Sequence, residues 1–586
     1  MSSTCSDFSE HDSVARSHAL PPSRGSGALP PPAPRPLARI RSVQVVGALR
    51  LHHATNRPRF VGARGAKRGV GEAVRPRSVV ADSVSGRKAR FRCSFSRPEE
   101  NHARFASRVD RRSPSGAQAH ERPCYQGRVA SLAHLAQRLR AHETTAVALA
   151  EHALASDELG AFRTRDAEHT LALARAADAA FAAGVDAGPL QGLPVSLKDL
   201  YGVPGFPTYA GTARRLGSAF ESAGPLVRRL LAQLAVVTGK THTVELAFGG
   251  IGTSPHYDAP INPWSEAGAA GGSLRVPGGS SSGAGVSLVE GSSLLAFGTD
   301  TAGSVRIPAA WTGTCALKTT GTLERKRWST EGVVPLSHTL DTAGLLARTV
   351  EDLVFAFAAL DPHARALPTV SLAGLRIGRC ERLFFDGLEP GIGEAVDAAI
   401  DTLVSLGARV IELDLPALDE VHELFLVGGP VPPELARWID RELSPEAIEA
   451  LDPNVAARLA QARSMPAVEY LRRLERLRVL HAETVGQLRD VDVLLAPTVA
   501  NAPPTRAAVS TPDGYRAANL LALRNTCVAS YLGLCALSLP CGKDTLGLPV
   551  GLQVIATPFS EERLLATGRA IERALAVDLG TPPQLA

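Results

Sequence analysis

Residues 277–308 read PGGSSSGAGVSLVEGSSLLAFGTDTAGSVRIP. Two small-residue loops, 278–283 and 301–304, flank an apolar segment at 286–297 whose composition predicts a helix running into a strand. Glycine lets a main chain approach a ligand closely and adopt positive φ, and N–H groups at such turns form concave sites for negative charge. The two loops therefore present backbone donors and serine hydroxyls together, the equipment for stabilising an oxyanion or holding a phosphate.

A serine hydroxyl needs a base to act as a nucleophile. Upstream, residues 192–199 read GLPVSLKD, an apolar strand-like run that ends in Lys198. Desolvation at the end of a buried strand disfavours the charged form of a lysine and makes it available as a neutral base. The alternative is a solvated strand-end lysine paired with Asp199, and the residues by themselves favour this blander role.

The GGSSSG loop, the DTAGS loop followed by Val305, Arg306, Ile307 and Pro308, and the upstream Leu197, Lys198 and Asp199 together resemble the amidase signature family of amide hydrolases. The likeness continues through Gly239-Lys240-Thr241, Asn262-Pro263-Trp264, LLAPT at 494–498 and GLPVGLQ at 547–553, and spans residues 131–575. Several motifs in the right order are far more specific than any one of them. The resemblance implies an α/β fold, a mixed central β-sheet covered by helices on both faces with a helical insertion. It also implies a Ser-Ser-Lys triad: Ser304 as nucleophile, Ser280 as bridging hydroxyl after a cis peptide bond from Gly279, and Lys198 as base. The backbone N–H groups of Thr301, Ala302, Gly303 and Ser304 become the candidate oxyanion hole. Ser281 is a secondary candidate for loop hydrogen bonds, and Asp300 and Arg306 are read as a buried pair bracing the loop rather than as substrate contacts.

The implied reaction is hydrolysis of a small-molecule carboxylic amide to the acid and ammonia or an amine, through an acyl-enzyme and without a cofactor. The glutamine-hydrolysing component of a tRNA-dependent amidotransferase shares the same fold, and a homodimer would be ordinary for the family. Three departures stand out. Ala302 occupies a position where many members have glycine, ALKTT at 316–320 replaces the usual G-[LF]-K-P-T, and residues 265–274 are additional and expected to form a surface loop.

Other motifs compete with this reading. Residues 279–283 match GxSxG, the nucleophile elbow of an esterase, with Ser281 at its centre. That motif needs a strand directly before it and an HGG-like loop upstream; Pro277 and the glycines interrupt any strand, and no HGG occurs. Gly239-Lys240-Thr241 resembles the end of a phosphate-binding loop, but Leu234 stands where its first glycine is required, so Lys240 is read as a structural lysine. HExxH and EF-hand patterns are absent, so no metal is implied. Cys315 lies beside the second loop with no histidine near it in sequence, and is read as a small buried hydrophobe.

The chain of 586 residues is 45% hydrophobic and only 5% aromatic, material for a large and mainly aliphatic core. Its eight cysteines are scattered, without a CxxC pair or zinc-like spacing, which points to a reduced, cytoplasmic setting. No uninterrupted run of 18 apolar residues occurs, so no membrane span is expected. The longest candidate, 527–540, is broken by Ser530, Gly533, Ser538 and Pro540 and reads as buried strand and turn.

Charge divides the chain. Residues 1–125 hold 23 Lys and Arg against 9 Asp and Glu, a surplus of 14 positive charges, so the remainder carries −9. Residues 1–128 are rich in proline, serine and arginine without helical or strand periodicity, and are expected to be disordered. An inert tail or an artefact of the assigned start is the favoured reading of this head. A transit peptide is the next, and a nucleic-acid-binding tail on a non-catalytic protein the last. From Ser131 onward helices and short apolar strands alternate, which predicts an α/β domain over 129–580. Within it, residues 417–488 are almost wholly helical in pattern, an elaboration placed to roof a pocket.

Overall fold

The computed structural model of the protein describes residues 130–586. The expectations for residues 1–128 lie outside the described residues. Among the described residues eleven strands form one mixed sheet: β1 (Phe162–Thr164), β2 (Pro194–Lys198), β3 (Val236–Thr241), β4 (Leu295–Asp300), β5 (Cys315–Lys318), β6 (Thr342–Ala347), β7 (Arg376–Arg379), β8 (Arg409–Glu412), β9 (Val493–Pro497), β10 (Cys535–Lys543) and β11 (Pro549–Ala556). Their spatial order is β1-β3-β2-β4-β6-β5-β10-β11-β9-β7-β8. β2 runs parallel to β3 and β4, and β7 parallel to β8 and β9. The centre, from β4 through β6, β5, β10 and β11 to β9, is antiparallel.

Apolar runs in the central strands are continuous because both faces of the sheet are covered. Period-two alternation divides each strand between two layers. Leu295 and Phe297 of β4, Val493 and Leu495 of β9, and Leu537 and Leu539 of β10 belong to a cluster with Leu132, Leu353, Val396 and Leu564. These come from helices Leu132–Arg140, Val350–Leu360, Ile392–Ser405 and Glu561–Leu575. Leu494, Ala496 and Ala536 turn to the other face, against Leu418, Leu435, Leu459 and Leu480. On that second face the small side chains of Ala296 and Ala316 let Ala284, Leu288 and Ala309 pack closely. Those residues bring helices Ser282–Glu290 and Arg306–Thr312 directly against the sheet.

Ser131, Thr145 and Asp166 each accept a backbone N–H three residues on, capping the first three helices. The long insertion consists of helices Ala417–Leu426, Val431–Glu442, Pro445–Glu449, Pro453–Arg463 and Ala467–Gln487. Residues 265–274 form a largely exposed loop held at its root, where the Arg275 N–H donates to the buried Ser265 hydroxyl at 2.9 Å. Residues 527–540 differ from the strand-and-turn expectation. Helix Pro512–Tyr531 runs through Cys527, the chain turns at Gly533 with φ +67°, and β10 follows. The buried C-terminal half of this helix shows no polar face, so periodicity cannot separate it from a strand here. Among the described residues no helix is long and apolar enough to cross a membrane.

Candidate active site

Lys198 ends β2, Thr299 and Asp300 end β4, and the loop 301–305 leads into helix Arg306–Thr312. The other loop, 277–281, enters helix Ser282–Glu290, and the peptide bond from Gly279 to Ser280 is cis. The Gly279 N–H donates to the Gly250 carbonyl at 2.8 Å, and the Val244 N–H to the Ser280 carbonyl at 3.2 Å. The Ser281 N–H donates to the Ser304 carbonyl at 3.2 Å, which ties the two loops together beside their serines. Lys198 Nζ lies 2.8 Å from Ser280 Oγ and 2.8 Å from Thr299 Oγ1. The sequence motifs do not single out Thr299, although it stands immediately before the DTAGS loop it serves.

Three buried lysines lie close in the fold, and their partners separate their roles. Lys240 pairs with Asp199 at 3.1 Å and donates to Thr208 Oγ1 at 2.9 Å, a buried ion pair. Lys318 donates to the carbonyls of Thr319 and Leu534 at 3.0 and 2.8 Å. Lys198 has only hydroxyls at hydrogen-bond distance, and among the described residues no carboxylate comes within ion-pair distance of it. The pairing of Lys198 with Asp199 is therefore not made, because Lys240 takes that carboxylate. Burial pulls the Lys198 pKa down to about 7, against an upward pull from Asp341 and Asp300. Near neutral pH this amine is half deprotonated, as a base requires.

Asp300 and Arg306 are both fully buried and face each other through two contacts, Nε to Oδ2 at 3.0 Å and Nη2 to Oδ1 at 2.9 Å. Arg306 also donates to Ser530 Oγ at 2.8 Å and to Gln553 Oε1. Asp300 accepts the Gly303 N–H at 2.8 Å and the Ser530 hydroxyl at 2.9 Å. The pair thus spans β4, the second loop, helix Pro512–Tyr531 and β11. One consequence narrows the oxyanion set: the Gly303 amide is already committed to Asp300, leaving those of Thr301, Ala302 and Ser304 as candidates. Thr301 Oγ1 donates to the buried Asp341 at 2.5 Å, fixing the start of the loop.

Ala302 does not have positive φ; the glycine requirement falls on Gly303, with φ +142°. A Cβ there would sit 2.1 Å from Thr526 Oγ1, whose hydroxyl donates to the Ala302 carbonyl at 2.6 Å. Thr319 is also accommodated, donating to the Ala343 carbonyl at 2.7 Å. Cys315 is buried on the opposite layer with its thiol toward Glu572 Oε1 at 3.5 Å, and burial raises its pKa well above the usual thiol range.

Ser281 is fully buried and its hydroxyl donates to the Thr299 carbonyl over 3.4 Å. No strand precedes it. We expect Ser281→Ala to keep kcat within about tenfold of wild type and to cost about 1 kcal/mol of stability, the scale of one buried hydrogen bond. An elbow nucleophile would instead lose its activity, so kcat and the urea midpoint of this variant separate the two roles.

Ser304, Thr301 and Ala302 form the floor of a cleft of about 880 Å³. Ala247, Phe248 and Gly249 supply one wall, while Phe425, Val431 and Met465 come from the helical insertion. A largely buried serine that lines the cleft beside backbone donors, on a loop hydrogen-bonded to the one that carries Ser280 and its lysine partner, is equipped for acyl transfer.

The Amidase family model matches residues 143–565. The 2-amino-5-chloromuconic acid deaminase of Comamonas testosteroni is 48% identical over 450 residues, covering 75% of this chain and 95% of the relative. A glutamyl-tRNA(Gln) amidotransferase component from Chloroflexus aggregans is 34% identical, covering 76% and 95%. A crystal structure of an amidase superimposes with a TM-score of 0.67 at 31% identity, covering 76% of this chain and 99% of the other. The native peptide amidase of Stenotrophomonas maltophilia gives 0.64 at 26% identity, covering 79% and 100%.

Proposed function

This chain belongs to the amidase family, a hydrolase acting on C–N amide bonds, and from that premise we propose that it works through Ser304, Ser280 and Lys198 by way of an acyl-enzyme. The observation that carries the reading is the 2.8 Å contact between Ser280 Oγ and the amine of Lys198, which is buried without a counter-ion. Ser304 Oγ attacks the amide carbon as its proton passes to Ser280, whose own proton passes to neutral Lys198. The oxygen turns anionic against the amides of the second loop; losing one donor of this kind typically costs about 10² to 10³ in rate. Collapse breaks the C–N bond, and the departing amine takes a proton back through Ser280. Water then attacks the Ser304 ester by the same relay, giving the acid and restoring the three side chains.

A second reading concerns the leaving group. The Comamonas relative is named for removing an amino group from an amino-substituted acid, and its identity of 48% exceeds the 34% of the amidotransferase component. Release of free ammonia in water is therefore favoured over delivery of ammonia to a bound partner.

Ammonia release from a panel of aliphatic, aromatic and amino-acid amides tests the reaction, and hydroxylamine tests the intermediate. Turnover should yield hydroxamates in the presence of hydroxylamine, and mass spectrometry of rapidly quenched enzyme should place the acyl group on the peptide containing Ser304. Turnover with the acyl group on the Ser281 side of the first loop, or with no transfer to hydroxylamine, would overturn the assignment.

A further inference from the structure

Resting on the amide-hydrolase reading, we propose that Arg458 anchors a carboxylate of the substrate, so that the enzyme takes C–N compounds whose carbon chain carries a free carboxylate away from the scissile bond. Three arginines line the cleft: Arg458, Arg473 and Arg516. Arg473 is committed, its Nε to Glu469 at 2.9 Å and its Nη1 to the carbonyls of Val427 and Gly429 at 3.0 and 3.1 Å. Arg516 is exposed at the rim. Arg458 differs from both.

The Arg458 guanidinium lies 3.7 Å over the Phe248 ring, with Nη2 donating to the Phe248 carbonyl at 2.5 Å and Nε to the Asn454 carbonyl at 3.1 Å. Among the described residues no carboxylate comes within ion-pair distance of it; Asp452 acts from farther away, and the Tyr515 hydroxyl lies beside it. Burial lowers its pKa, yet a guanidinium stays charged. A partly buried cation without a counter-ion carries a desolvation cost, and most buried charges are paired. Two of five N–H donors go to backbone carbonyls, and the planar fork matches a carboxylate in two-point contact. The acids in the cleft wall do not supply one: Glu469 is held by Arg473 and Arg472, and Asp513 stands in the first turn of helix Pro512–Tyr531.

One short loop touches both the anchor and the segment that carries Ser280. Phe248 holds Arg458 through its carbonyl, and two residues on the Gly250 carbonyl holds the amide of Gly279, beside Ser280. Arg458 and Ser304 line the same cleft, so one substrate can touch both.

The test compares glutaric acid monoamide with pentanamide, matched in length and differing in the terminal carboxylate, on the full-length protein. Wild type should favour the monoamide. Arg458→Gln should lower its kcat/KM roughly 10²-fold, mostly through KM, while pentanamide stays within about threefold; Arg458→Lys should recover part of the loss. Equal losses on both amides, or a wild-type preference for pentanamide, would overturn the anchor while leaving the amide-hydrolase reading intact. Glutarate binding to Ser304→Ala, followed by calorimetry, reads the anchor without turnover. Binding that weakens similarly in Ser304→Ala/Arg458→Gln supports the anchor even if neither amide is cleaved, and glutarate that fails to bind overturns it.

Discussion

Lys198→Met and Ser304→Ala each lower kcat for amide hydrolysis by roughly 10⁴-fold or more, and the double variant is no slower than the worse single one, because members of a proton relay act as a unit. The effect is large because no other buried amine reaches Ser280: Lys240 is paired with Asp199, and Lys318 with two carbonyls. The pH profile carries the sign. Only neutral Lys198 accepts a proton, and burial pulls its pKa down to about 7, so kcat/KM should rise tenfold per pH unit below about 7 and level off above it. Lys198→Arg should be inactive throughout, since a guanidinium does not deprotonate. In the unfolded chain this lysine keeps its proton up to its ordinary value of 10.5, so the unfolded state binds more protons between about 7 and 10.5. Its contribution to stability therefore improves as pH rises through that window and weakens as pH falls through it. A flat activity profile from pH 5 to 9, or a Lys198→Met variant with wild-type turnover, would remove Lys198 from the relay.

The legible part of the molecule was the part made of short loops with unusual composition. GGSSSG and DTAGS announced backbone donors and hydroxyls, and the run ending in Lys198 announced a buried strand end, because glycine-serine loops and apolar runs each have few structural solutions. Which lysine is the proposed base was less legible: Lys198, Lys240 and Lys318 all lie at or near strand ends, and only their spatial partners, Asp199 for Lys240 and two carbonyls for Lys318, separate them. Likewise, nothing in DTAGS reveals that the Gly303 amide is given to Asp300, or that Gly303 rather than Ala302 is the position that excludes a side chain. The short strands β5 and β6 carry little signal in the sequence, because β-propensity is weak over four to six residues and pairing across the sheet decides them. Thr299, Ser530, Gln553 and Arg458 reach their places by long-range packing, for which sequence spacing carries no signal.

Asp300→Ala should destabilise the protein by about 3–5 kcal/mol, the scale of stripping one partner from a buried ion pair. The cost has two parts. Arg306, wholly buried, loses its carboxylate and keeps only Ser530 and Gln553, and the Gly303 N–H loses its acceptor. Arg306→Met should cost a similar amount by leaving Asp300 unpaired in the same site. Asp300→Ala/Arg306→Met should recover part of the loss, because two apolar side chains leave no buried charge, and the cycle reads that coupling directly. Activity should not recover with it: the loop that places Ser304 and its neighbouring amides hangs from Asp300, and alanine offers it no acceptor. Urea unfolding of the four proteins, with m-values compared so that ΔG is like for like, measures the first effect, and kcat the second. If Asp300→Ala left the urea midpoint unchanged and raised KM alone, the pair would be a substrate contact rather than a brace. The geometry argues otherwise, since neither residue is among those lining the cleft and each is held by the other.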